Sequence, residues 1–273
     1  FKGPDARKFL DHIMAGRLPK PGRISLSPML SYRGKLCGDL TVACLDENEF
    51  MVFGSGAAQE MHRRWFESHL DKFNLSYSNR SDEYHGLSIA GPNSRKVLEK
   101  IVRDDVSNEK FKFRDSRRMF VGGVPAIINR ISFTGELGYE IYVAPHYQLK
   151  LYEELMEAGK EFNIKPFGGR ALMSMRLEKN WGAWTLDYRP DFTAKETGLD
   201  AFINWDKEFI GKESAQKENS SNKLVPLIVE TNEIDVTNNE AVLNGDQSIG
   251  YVTSGGFAHF VNKSVAFTFV DQK

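Results

Sequence analysis

Three polar side chains stand where the surrounding pattern is apolar or tightly turned, and each could do chemistry. Asp39 lies in Cys37-Gly38-Asp39-Leu40-Thr41-Val42. A carboxylate opening an apolar strand costs burial energy unless it is hydrogen-bonded or used, so Asp39 could accept a proton; equally, it could be a turn aspartate after Gly38. Glu140 closes the segment Phe133-Thr134-Gly135-Glu136-Leu137-Gly138-Tyr139-Glu140, where two glycines bracket a tight turn and the carboxylate leads the strand Ile141–Val143. It could face a ligand or stand in solvent on a hairpin. Arg170, in Gly168-Gly169-Arg170, opens a helix, where a cation opposes the helix dipole. It could hold an anionic ligand or form an ordinary salt bridge within the protein.

Other chemistries are excluded by what surrounds them. No GxxxxGK[ST] loop occurs, and Gly54-Ser55-Gly56 lacks the third glycine of a dinucleotide fingerprint. The six histidines are scattered without HExxH or HxH spacing, so no metal site is expected. Cys37 and Cys44 form no CxxC, which excludes a cysteine-rich zinc site and a disulfide scaffold and suits a reducing compartment. Ser31 and Ser254 have no nucleophile-elbow motif around them. Lys plus Arg number 36 against 37 Asp plus Glu, a net charge of -1, so no basic excess exists to grip a phosphate backbone and no nucleic-acid partner is expected. No apolar run approaches the ~20 residues of a membrane span, and no membrane association is expected. With 273 residues, 41% hydrophobic and 27% charged, the chain is long enough for a sizeable core in one large domain or two to three small ones.

The elements that must position these residues come from an internal repeat. Gly3-Pro4-Asp5-Ala6-Arg7-Lys8-Phe9-Leu10-Asp11-His12-Ile13 matches Gly91-Pro92-Asn93-Ser94-Arg95-Lys96-Val97-Leu98-Glu99-Lys100-Ile101 at a constant offset of 88. Each copy starts a helix, with Pro early and Asp or Asn near the cap. Strands follow at Arg23–Tyr32, Asp39–Leu45 and Glu49–Phe53, with a helix from Ala57 to Leu70. The second copy continues with strands at Arg118–Val121, Ala126–Ile131 and Tyr139–Val143 and a helix from Tyr147 to Gly159. With Gly86–Ala90 ahead of the second helix start, the order is that of a split βαβ unit. The first copy then needs a leading strand upstream of Phe1, and the missing initiator Met and signal peptide agree with a longer protein. Gly168–Lys179 reads as a helix whose Leu172, Met173, Met175 and Leu177 form a buried face. Asn180–Phe202 is irregular, Lys217–Lys223 is a polar linker, and short strands joined by Asn-Gly and Gly-Gly turns close the chain. The expectation is an α+β protein. Residues 1–85 and 86–216 form two ferredoxin-like halves, the second with a helical and irregular extension, and 217–273 form a small β-barrel-like module.

At this point the motifs resemble a known family. Phe133–Glu140 is similar to the Y-T-G-E-x-G-[FWY]-E segment of the tetrahydrofolate-dependent aminomethyltransferases, which comprise the glycine-cleavage T-protein and the C-terminal folate domain of dimethylglycine and sarcosine dehydrogenases. Gly168-Gly169-Arg170-Ala171 through Met175-Arg176-Leu177-Glu178-Lys179 resembles their G-x-R-x-x-x-S-[LM]-R-x-E-K. Lys195–Leu199 resembles P-x-E-A-G-L, Lys207–Glu213 resembles K-x-[DE]-F-I-G-[KR]-E, and Val252–Gly256 with Asn262–Ala266 resembles V-T-S-G-x and x-K-S-[IL]-A. The resemblance covers nearly the whole chain, in order, and five ordered motifs are far more specific than any one. The Arg-Leu-Glu-Lys and Lys-Ser-Val-Ala forms, with Trp184 where T-proteins have Tyr, lean toward the dimethylglycine-dehydrogenase branch.

The resemblance implies a role for each matching position. Asp39 falls on the carboxylate near the reactive folate nitrogens, Glu140 on the acid that pairs with the pterin ring, and Phe133 on an aromatic of the site. Arg170 falls on an arginine for the folate's acidic tail, while Ser55 and Leu26 fall on pocket-lining positions. Phe133 and Leu26 replace tyrosines and Ser55 is shorter than the usual Asn, departures that bear on T-protein activity more than on folate binding. The implied arrangement is a three-lobed ring around a folate pocket between the halves. The implied function is capture of a methylene group from an oxidised N-methyl amine onto tetrahydrofolate. The amine's oxidation needs FAD in a domain upstream of Phe1, and the compartment is the cytoplasm or mitochondrial matrix. The alternatives are a glycine-cleavage T-protein and a non-catalytic folate-binding module.

Overall fold

The computed structural model describes residues 1–232 and 234–271. The first repeat folds as α1 (Ala6–Ile13), β1 (Arg23–Leu30), β2 (Leu36–Asp46), β3 (Glu49–Phe53) and α2 (Gln59–Glu67). The second folds as β4 (His85–Ala90), α3 (Ser94–Ile101), β5 (Ser116–Val121), β6 (Val124–Asn129), β7 (Gly138–Val143) and α4 (Gln148–Gly159). Both sheets are antiparallel, in orders β1-β2-β3 and β4-β7-β6-β5. The place of β4 is taken in the first sheet by Phe1 and Lys2: the Phe50 N–H donates to the Phe1 carbonyl at 2.9 Å, and Lys2 bridges Glu49.

The sequence repeat is therefore a structural one. The two Gly-Pro starts give helices offset by the same 88 residues, entered through Gly3 and Gly91 at φ +141° and +126°. These glycines are a backbone requirement, because side-chained residues rarely reach that region and a Cβ on Gly3 would lie 2.8 Å from Leu75 Cα.

In each half, strand alternation divides the sheet into a core face and a second face. Leu40, Val42, Cys44 and Phe50 pack on Phe9, Leu10, Ile13 and Phe66 of α1 and α2. Ile128, Tyr139, Ile141 and Val143 pack on Val97, Leu98, Leu151 and Leu155 of α3 and α4. The second faces look toward each other about a pseudo-two-fold axis. Met29 bridges Met14 as Val121 bridges Val102, so β1 and β5 are counterparts, and within that frame Arg23 pairs with Asp115, its own equivalent. Likewise Lys2 bridges Glu49 as Ala90 pairs with Gly138, which makes Phe53 the counterpart of Tyr142; their rings meet at 4.4 Å.

The last third braces this pair. It contains α5 (Gly169–Glu178), α6 (Ala194–Thr197), α7 (Lys212–Lys217) and strands β8 (Asn222–Val229), β9 (Ala241–Asn244), β10 (Gln247–Ala258) and β11 (Lys263–Asp271). The four strands form an open antiparallel sheet, order β8-β11-β10-β9, rather than a closed barrel. Among the described residues, no helix is long and apolar enough to cross a membrane.

The predicted Met/Leu face of α5 is only partly buried. Leu177 is covered, but Met173 is 38% exposed, and the deepest residue is Arg176 at 1%. An arginine can be so placed because its charge is fully met: it donates to Asp187 at 2.8 Å, to Ser254 Oγ at 2.6 Å and to the Trp181 carbonyl at 2.9 Å. Asp187 also accepts from the Ala183 N–H and from Thr253 and Ser254. This buried network ties α5, the irregular segment after it and β10 into one unit.

Candidate functional site

The two second faces and the segment beyond α5 enclose a cavity of about 920 Å³. Leu26, Asp39 and Ser55 line it from the first half, and Phe133 and Glu140 from the second. Arg170 does not join them. It is exposed on the first turn of α5, lines no part of the cavity, and has no ion pair among the described residues.

Asp39 reaches the cavity because Leu40 and Val42 turn into the core, which sends residue 39 to the opposite face. β2 begins at Leu36, so Asp39 is an interior strand residue rather than the opening one. Gly38 allows this strand to pass close to α2, since a Cβ there would meet His62 Nε2 at 2.8 Å. Burial lowers the His62 pKa, so the ring is neutral, and its Nε2–H donates to the Cys37 carbonyl at 2.9 Å and pins the strand. No side-chain partner satisfies Asp39 among the described residues, and burial pushes its carboxyl up to about 7. A carboxylate in this state can take up or release a proton near neutrality.

Glu140 stands on the opposing wall. Burial raises its pKa, while a hydrogen bond from Tyr142 and the nearby Lys179 charge work the other way. The Tyr142 hydroxyl donates to Glu140 Oε2 at 2.8 Å; burial and the adjacent carboxylate hold the phenol well above its ordinary value, so it remains a donor. Lys179 Nζ donates to the Ser132 carbonyl at 2.7 Å and lies 5.3 Å from the Trp181 ring centroid. Burial lowers the Lys179 pKa and Glu140 opposes that shift. A second chamber of about 770 Å³ shares Phe133 and Glu140 with the first, so Glu140 faces both spaces.

Tyr142, Lys179 and Trp181 were not singled out from the sequence as site residues. Tyr142 had a usable signal, since it lies two residues after Glu140 and so on the same strand face. Lys179 had only its place at the end of the α5 motif and Trp181 had none, because the segment after α5 is brought to the cavity by tertiary packing, including the Arg176–Asp187 network and the Lys179–Ser132 bond. The aromatic walls, which include Phe53, Tyr142, Trp181 and Trp184, suit a flat ring system, and the two carboxylates suit its N–H edges.

Comparisons with known proteins agree with this architecture. Residues 1–207 match the GCVT N-terminal domain, and residues 222–273 match the glycine cleavage T-protein C-terminal barrel domain. The chain is 35% identical to human mitochondrial dimethylglycine dehydrogenase over 99% of its own length, and it spans 32% of that relative. It is 30% identical to an aminomethyltransferase of Thermoanaerobacter pseudethanolicus, covering 100% of this chain and 75% of that one. In three dimensions it superposes on the crystal structure of the glycine cleavage system aminomethyltransferase T from Bartonella henselae with a TM-score of 0.87 at 24% identity, over 99% of this chain and 74% of that one. A duplicated α+β unit with an added C-terminal sheet, matched along its length by these two domains, makes this chain a member of the glycine-cleavage T-protein family of aminomethyltransferases.

Proposed function

We propose that the cavity between the halves binds tetrahydrofolate and captures on it a methylene group from an oxidised N-methyl amine of the dimethylglycine or sarcosine kind. The observation that carries this reading is the placement of two carboxylates, Asp39 and Glu140, on opposite walls of one aromatic-lined cavity. Glu140, fixed by Tyr142, suits the adjacent N–H donors of a pterin, which a carboxylate accepts in bidentate fashion. Asp39 then faces the reacting amine. Attack of a folate N–H nitrogen on an iminium carbon forms a C–N bond; attack of the second nitrogen expels the donor amine. Of the two folate protons, one leaves on that amine and the other passes through Asp39 to solvent. Holding both partners in one cavity supplies much of the acceleration.

The oxidation that generates the iminium belongs, in this reading, to an FAD-bearing domain outside these residues. The match to a third of human dimethylglycine dehydrogenase supports that assignment. A T-protein role, in which the carbon arrives as an aminomethyl group, is supported by the longer match to the Thermoanaerobacter aminomethyltransferase. In both readings Asp39 handles the proton.

The test supplies the chain with formaldehyde and tetrahydrofolate and follows methylenetetrahydrofolate, with the uncatalysed condensation subtracted. Asp39→Asn should retain most of the folate affinity and slow capture by about 10²-fold, because an amide cannot accept the proton. A wild-type rate equal to background, in the longest protein that contains the chain, would leave a folate-binding module as the better account.

A further inference from the structure

One row of residues differs between the two copies of the sheet. In the first half, Ile24, Ala43 and Met51 lie side by side across β1, β2 and β3 on the face toward the cavity. Their counterparts across β5, β6 and β7 are Ser116, Asn129 and Glu140. An apolar row in one copy is a polar row in the other. Asn129 is 0% exposed and Ser116 is 3% exposed, yet among the described residues both amide atoms of Asn129 and the Ser116 hydroxyl lack a hydrogen-bond partner. Buried polar atoms are seldom left so, because each forfeits its bond to water. Directly opposed residues of an antiparallel pair have Cβ atoms about 4.5–5.5 Å apart on one face, which puts the Asn129 amide within a small side-chain rotation of the Glu140 carboxylate. Tyr142 occupies Glu140 Oε2, and among the described residues no hydrogen bond reaches Oε1.

We propose that Asn129 is a positioning residue for Glu140: its Nδ2–H donates to Glu140 Oε1, and the Ser116 hydroxyl donates to Asn129 Oδ1 and so orients the amide. The carboxylate is then held by Tyr142 on its own strand and by Asn129 on the next, and aimed at the ligand. The importance of that aim rests on the reading of Glu140 as the folate contact; the pairing itself does not. Two donors to the ionised form oppose the burial that raises the Glu140 pKa. The other charged groups around Glu140 are Lys179 beyond α5, Asp39 across the cavity, Arg17 and Arg114 at its rim and Lys165 in the second chamber, while Arg118 on β5 is engaged by Glu49 at 2.8 Å.

Carbon-13 NMR of labelled glutamate side chains, with Glu140 assigned through Glu140→Gln, reads the pairing without any ligand. In Asn129→Leu the Glu140 titration midpoint should rise by about one pH unit, with Asn129→Ser between it and wild type. The affinity for tetrahydrofolate at pH 7 should fall up to about tenfold in parallel. A midpoint unchanged in Asn129→Leu overturns the proposal; should that variant fail to fold, an unchanged midpoint in both Asn129→Ser and Ser116→Ala does the same. A shifted midpoint in a protein that binds no tetrahydrofolate upholds the pairing and removes the folate reading of Glu140.

Discussion

The first and second halves share a backbone plan but not a surface. Asp39 pairs with Pro28 in the first sheet; the corresponding pair in the second is Phe120 with Pro125, so the carboxylate of one half is a proline in the other. Glu140 has Met51 as its counterpart. Each half gives one carboxylate to the shared cavity, from different positions of the same unit. A symmetric pair of copies would offer two identical walls and could not distinguish the two ends of a ligand. Divergence also reshaped the axis. Residues that meet their own equivalents repel when identical and charged; here Arg23 meets Asp115, and Phe53 meets Tyr142, whose hydroxyl serves Glu140. In the ring contact the polar member, Tyr142, lies in the second copy, which also supplies the buried polar row.

The comparison presumes that the third region holds both walls in register. Asp187→Ala would strand the Arg176 charge in the interior and should cost about 3–5 kcal/mol in denaturant unfolding, the largest effect expected; a loss below about 1 kcal/mol would show that the brace is unnecessary. Glu140→Met makes the two rows alike. Folate affinity should drop by about 2–4 kcal/mol by calorimetry, while stability at neutral pH rises because a desolvated carboxyl has gone. Unchanged affinity would remove the functional meaning of the asymmetry.

Asp39→Asn sharpens the same contrast through pH. The folded chain keeps the Asp39 proton up to about 7, whereas an ordinary aspartate releases it near 3.8, so the folded state binds the extra proton in that window. Stability therefore falls as pH rises from about 4 to about 7. Asp39→Asn should be as stable as wild type at pH 4 and more stable at pH 8; parallel curves at both values would place Asp39 in a less buried setting. The smallest effect belongs to Tyr142→Phe, which keeps the ring contact with Phe53 and removes one donor to Glu140. About 1 kcal/mol of folate affinity should be lost, with the unfolding midpoint little changed.

What the sequence alone determined was local and periodic. The Gly-Pro helix starts, the repeat offset, the strand alternation that turns Asp39 and Glu140 away from Leu40 and Ile141, and the ordered family motifs all depend on residues near one another in the chain. Side-chain direction has period two in a strand whatever the rest of the protein does, so these features were legible. The tertiary structure decided which faces meet. Nothing near Tyr142 indicates that its ring meets Phe53, nothing near Lys179 indicates that its charge lies close enough to act on Glu140, and the apolar spacing of α5 conceals that Arg176 rather than Met173 is buried beside Leu177. Arg170 stands outside the cavity that its motif suggested, and the C-terminal strands stay open. Each of these contacts depends on partners tens of residues away, such as Ser254 for Arg176, and a contact of that kind is selected by the packing of whole elements rather than by the pattern of one.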